Sequence, residues 1–152
     1  MTTVPIITYY TSNQPYIENW FIGDIRLKKR HREDGPAYKL WYPDGQIKYE
    51  IWFNQGLYHR ENGPCSQWWH PNGQIEYKSW FIHNKCHRID GPAEIEWDDD
   101  GYLIFEKWYI NDEELSDIRV TIYKKWLKGH NLYKPYDTWS DEERVLWRLS
   151  WT

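Results

Sequence analysis

Aliphatic bulk is what this sequence has least of. Its 152 residues are 40% hydrophobic, yet the mean hydropathy is −0.93, because 12 Trp and 13 Tyr carry most of that apolar content. Large amphipathic rings, rather than packing of Leu, Ile and Val, are therefore expected to hold most of the fold together. Cysteine is scarce as well. Cys65 and Cys86 are too few for a disulfide framework and read as reduced thiols. No apolar run approaches the roughly 20 residues that cross a bilayer. Met1-Thr2-Thr3-Val4 lacks a basic segment leading into an apolar stretch, so no secretory leader is expected and the compartment reads as cytoplasmic. A large overall excess of one charge sign is missing too: the net charge of −4 divides into −7 over residues 1–117 and +3 over residues 118–152. An acidic body with a basic end disfavours nucleic acid as the main partner.

A fixed internal period is present. His31-Arg32-Glu33-Asp34-Gly35-Pro36, His59-Arg60-Glu61-Asn62-Gly63-Pro64 and His87-Arg88-Ile89-Asp90-Gly91-Pro92 lie 28 residues apart. Asp44-Gly45, Asn72-Gly73 and Asp100-Gly101 keep that step, as do Trp52-Phe53, Trp80-Phe81 and Trp108-Tyr109. A divergent first copy matches at an offset of 32, its four extra residues falling within the basic stretch Gly23 to Arg30. Such a period means stacked supersecondary units.

Each unit reads as strand, turn, strand, turn. Ile47, Tyr49, Ile51 and Phe53 alternate with Lys48, Glu50 and Trp52, a period of two that predicts a strand with the first set on one face. The preceding strand places Ala37 with Trp41, Cys65 with Trp69 and Ala93 with Trp97. Asp-Gly and Asn-Gly supply one hairpin turn, and Asn54-Gln55-Gly56 supplies the second reversal. The expected fold is mainly β: an antiparallel meander of about four hairpin repeats over residues 1–112, capped by two helices within residues 113–152 of the same globular unit.

The repeat ends after Asn111. Leu115, Ile118, Ile122 and Trp126 follow helical spacing up to Gly129, read as a C-cap, and Ser140-Asp141-Glu142-Glu143 is a capping box opening a second helix. Two helices are a reasonable cover for the last edge of a repeat sheet.

The unit Gly45 to Gly56 resembles the variant class of MORN repeats. The string His31 to Ala37 followed by Trp41 to Gly45 resembles the His-Arg-Glu-Asp-Gly-Pro-Ala repeat of proteins from phages and large DNA viruses. The resemblance covers about residues 5–112. It implies β-hairpin repeats and a scaffold or partner-binding role, with no catalytic residues to carry over. In a phage or virus, the setting it implies is host cytoplasm and a host factor bound and blocked.

Two sets of residues are candidates for binding. Trp52, Trp80 and Trp108, interleaved with Lys48, Glu50 and Lys78, either become core where the strands curl into a compact sandwich or stay accessible as a strip of rings and charges suited to a protein partner, because buried aromatic anchors dominate such interfaces. The alternative is a small anionic ligand, a nucleotide or phosphate, held by the recurring pairs His31 and Arg32, His59 and Arg60, His87 and Arg88. A residue recurring in every unit also solves a problem every unit has, which favours a structural role for these pairs. Zinc is not expected, since a ladder offers one His per unit rather than converging ligands. No nucleophile sits with a base and an orienter, and no Gly-rich phosphate loop follows a strand, so neither enzyme activity nor a cofactor is expected. The stretch Arg26 to Arg30 gives an anionic membrane surface a weak foothold and otherwise reads as a solvated loop.

Overall fold

A computed structural model describes residues 3–130, 132, 140 and 142–146. Four long hairpins build one eight-stranded antiparallel sheet: β1 (Thr3–Tyr9) with β2 (Pro15–Ile22), β3 (Tyr38–Trp41) with β4 (Ile47–Ile51), β7 (Ser66–Trp69) with β8 (Ile75–Ser79), and β11 (Glu94–Trp97) with β12 (Leu103–Lys107). Every strand in it lies beside its predecessor. After each of the last three long hairpins the chain makes a miniature one: β5 (Phe53–Asn54) with β6 (Leu57–Tyr58), β9 (Phe81–Ile82) with β10 (Lys85–Cys86), and β13 (Tyr109–Ile110) with β14 (Glu113–Glu114). The expected meander is thus the observed one, and its last short strand extends two residues past the boundary drawn at 112.

The miniature turns are tight because both central residues have positive φ: Gln55 (48°) and Gly56 (84°), His83 (49°) and Asn84 (66°), Asn111 (52°) and Asp112 (70°). That geometry matches the strand twist but disfavours most side chains. The divergent first copy pairs in the same way as the others. Trp20 N–H donates to Ala37 O as Trp52 donates to Cys65 and Trp80 to Ala93, with four residues more between the partners. Trp20 O also accepts from His31 N–H, so both its backbone groups face away from β1. Pro5, directly opposite Trp20, therefore turns its missing N–H to the open edge, where proline discourages further strand pairing.

One strand assignment needs correction. The register slips between Leu40 and Trp41, and again between Trp68 and Trp69 and between Glu96 and Trp97. Leu40 faces Tyr49 while Trp41 faces Ile47, which leaves Lys48 as an extra, bulged residue. Ile47 consequently shares a face with Trp41 and not with Tyr49. Strict alternation fails because a bulge consumes one residue without changing face.

The helical ending also departs from its expected phase. Helix α1 (Asp117–Gly129) starts at Ser116, whose Oγ accepts from Arg119 N–H, and ends at His130 rather than at a glycine cap. Ile118 and Ile122 are 74% and 55% exposed, whereas Tyr123 and Leu127 are buried against Ile89, Trp108, Leu115 and Leu132. Leu115 precedes the N-cap, so it cannot set the phase of the buried stripe; the i, i+4 pair Tyr123 and Leu127 sets it. The helix thus covers Trp108 and the third His-Arg loop, while Leu103 and Ile104 on β12 stay 54% and 57% exposed. Residues 142–146 are helical, and the box forms: Ser140 N–H donates to Glu143 Oε2 (2.7 Å) and Glu143 N–H to Ser140 Oγ (3.2 Å). No helix of the described residues is long and apolar enough to cross a membrane.

Candidate functional site

The two candidate sets lie on the same side of the sheet and touch. The guanidinium of Arg32 sits 4.3 Å from the Trp20 ring centroid, Arg60 4.1 Å from Trp52 and Arg88 3.9 Å from Trp80. Over Trp108 the place is taken by Lys124 of α1, at 5.1 Å. Each arginine also packs against the glycine of its own loop. A methyl group on Gly35, Gly63 or Gly91 would lie 2.9, 3.2 or 2.9 Å from the guanidinium carbon. Cation, ring and close glycine contact form one packed column, with the cation held against the ring quadrupole.

The histidines join successive units. His31 Nδ1 accepts from Gln55 N–H (3.2 Å), His59 Nδ1 from His83 N–H (3.3 Å) and His87 Nδ1 from Asn111 N–H (3.1 Å). Each acceptor holds the first positive-φ residue of the next miniature turn. The backbone N–H groups of Arg32, Arg60 and Arg88 donate to the carbonyls of Phe53, Phe81 and Tyr109. The recurrence of His-Arg therefore has a structural cause in every unit. Burial pushes His59 and His87 below the ordinary imidazole range, helped at His59 by the neighbouring His83, which keeps them neutral as acceptors.

The remaining residues of the strip are also engaged. Glu50 pairs with Lys39 (3.7 Å), Lys48 lies 5.3 Å from the Tyr42 ring and Lys78 5.9 Å from the Trp97 ring. Trp52 and Trp80 are half-buried, and Trp108 is 2% exposed beneath Tyr123. Trp108 thus belongs to the core cluster. The strip is a ladder of covered rings rather than an open aromatic surface.

Between the first two His-Arg loops lies a cleft of about 450 Å³ lined by His31, Arg32, Trp52, His59 and Arg60, with Glu33 and Glu61 also on its wall. Arg32 is neutralised by Asp34 (2.9 Å) and Glu18 (3.6 Å), and Arg88 by Asp90 (2.6 Å). Arg60 has Asn62 where the others have aspartate, makes its hydrogen bond to Pro64 O (3.0 Å), and has no carboxylate in bridging range among the described residues. One such cation beside two glutamates is a poor cradle for an anion. Cys65 and Cys86 are free and buried, and burial pushes both thiols up to about 12, so neither is a ready nucleophile. Among the described residues no group of three or more His, Cys, Asp or Glu converges to hold a metal ion.

The opposite face carries a feature that sequence reasoning missed. Tyr38, Tyr49, Trp68 and Tyr77 form a continuous ribbon of rings across β3, β4, β7 and β8, with centroid separations of 5.5, 6.0 and 5.3 Å. The miniature hairpins border it with Phe53, Tyr58 and Phe81, whose tilted rings lie with centroids 4.6 and 5.7 Å apart. Between ribbon and border runs a groove of about 300 Å³ lined by Arg30, Tyr38, Tyr49, Ile51, Phe53, Tyr58 and Trp68. Trp68 and Tyr58 remain 42% and 40% exposed. Arg30 closes one end, its guanidinium 4.9 Å from the Tyr38 ring and bonded to Asn19 Oδ1 (2.8 Å). Alternation alone gives Tyr49 and Ile51 the look of core residues, because one face of a sheet usually is core. The signal available was the internal alignment: Tyr38, Ser66 and Glu94 share one position, and Leu40, Trp68 and Glu96 another, so these positions do not serve a need common to all units.

No family model, curated protein or solved structure matches this chain.

Proposed function

We propose that the protein is a non-catalytic, protein-binding repeat module in which the Trp-Arg column is scaffold and the aromatic groove on the other face is the binding surface. The observation that carries this reading is the exposure of Trp68 and Tyr58 beside a 300 Å³ groove, in a chain that covers the rings of its other face with arginines and a helix. Large exposed rings in a concavity are the usual anchors of protein interfaces. The repeat resemblance adds a setting, a phage or viral protein that occupies a host factor. Panning a displayed random-peptide library against the folded chain tests the reading. Recovery of binders that Trp68→Ala no longer retains supports it, and recovery of none that depend on Trp68 refutes it.

A small anionic ligand at the His-Arg cleft is the second reading, favoured by the charge of Arg60, which no carboxylate among the described residues bridges. Calorimetry with inorganic phosphate and with ATP decides it. Micromolar binding lost in Arg60→Ala and kept in Trp68→Ala would replace the protein-binding proposal.

A further inference from the structure

The groove face changes chemistry along the repeats, and the change has a direction. Directly opposed residues share a face; Trp68 faces Tyr77, and Tyr77 faces Glu96 across the next strand pair. The face therefore runs from Arg30 and Tyr38, through Trp68, to Glu94 and Glu96. Glu94 accepts from the Tyr77 hydroxyl (2.8 Å). Glu96, half-buried beside it, has no ion-pair partner among the described residues. The aromatic groove, lined from Arg30 to Trp68, thus begins at a cation, and the same face continues past it through Tyr77 to the carboxylates of Glu94 and Glu96, the one cation opposite them among the described residues, Lys107, being paired with Glu114 (3.8 Å).

Resting on the reading above, we propose that the groove takes a proline-rich peptide in the polyproline II conformation, laid across the strands, with a basic residue against Glu96. Charge complementarity fixes the basic residue at that end, since Arg30 repels it at the other. Spacing fixes the conformation. Trp68 and Glu96 are two strands apart, about 10 Å. A polyproline II helix returns to the same face every three residues, after about 9 Å. A β-strand ligand repeats its face at about 7 or 13 Å and does not match that separation. Ring-lined grooves also suit this ligand because its backbone is preformed and loses little entropy on binding.

Fluorescence anisotropy with a labelled oligoproline carrying one central arginine tests the proposal, beside the same peptide with glutamate at that place. The expected result is tighter binding of the arginine peptide, by roughly fivefold. Glu96→Gln should abolish that preference, Glu96→Lys reverse it, and Trp68→Ala weaken both peptides, with circular dichroism confirming that each variant is folded. Equal binding of the two peptides, or a preference unchanged in Glu96→Lys, overturns the proposal. If the library instead yields Trp68-dependent peptides without proline or a basic residue, this inference fails while the binding-module reading stands. If no Trp68-dependent peptide is recovered, both fail.

Discussion

The two faces of the sheet are built by opposite rules. On the column face the same residue types recur unit after unit: Trp20, Trp52, Trp80 and Trp108 beneath Arg32, Arg60, Arg88 and Lys124. On the groove face one position holds Tyr38, Ser66 and Glu94, and its neighbour holds Leu40, Trp68 and Glu96. A residue that every copy needs must meet a requirement of the repeat itself, such as holding the next miniature turn or packing against its own loop. Positions free to diverge between copies can be committed to something outside the chain. Within a repeat protein the copies serve as an internal alignment, and here they separate a face whose residues recur from a face whose residues vary between copies.

The largest effect should come from breaking the column where the helix seals it. Trp108→Ala removes a ring that is 2% exposed and should cost about 3–5 kcal/mol in denaturant unfolding, as large aromatic deletions in cores do. An effect below about 1 kcal/mol would mean that α1 does not depend on it. Next comes Tyr123→Phe, which removes the hydroxyl that donates to Ile89 O (2.7 Å) and takes a partner from a buried carbonyl. About 1 kcal/mol is expected, or roughly 2–4 °C in Tm.

A smaller effect separates the faces by pH. His59 and His87 are held below the ordinary imidazole value by burial, so the unfolded chain binds protons more readily than the folded one. Their contribution is therefore complete above about pH 6.5 and is lost as the pH falls through their folded values. Protonation also takes Nδ1 away as an acceptor for His83 and Asn111 N–H. Between about pH 7.5 and about pH 5.5 Tm should fall, and the fall should be shallower in the double variant His59→Gln, His87→Gln. An equal slope in the two proteins would show that these bonds do not couple the units.

Much of this fold was legible because the 28-residue period, the Asp-Gly and Asn-Gly turns and the Ser140 box are local signals whose backbone consequences are nearly fixed. The face of Ile47 was hidden because a bulge at Lys48 leaves no mark in an alternating pattern. The phase of α1 was hidden because its partners are distant in sequence. Ile89, standing where the other copies have Glu33 and Glu61, was the available hint that the third loop is covered. Whether the strip of Trp52, Trp80 and Trp108 is core or open surface is left undecided by sequence because the arginines that cover its first two rings come from separate loops, and Lys124 over the third comes from the helix. The groove escapes for a related reason: alternation tells which residues share a face, not whether anything lies over it.

The central claim is tested most directly by measuring stability and peptide binding together in Trp52→Ala and Trp68→Ala. The two residues are of one type on adjacent units and opposite faces. Trp52→Ala should lose about 2 kcal/mol or more of unfolding free energy and, at temperatures where it is folded, still bind library-selected peptides. Trp68→Ala should unfold within about 1 kcal/mol of the parent chain and lose those peptides. The reverse pattern, with Trp52→Ala stable but unable to bind and Trp68→Ala unstable, would contradict that claim.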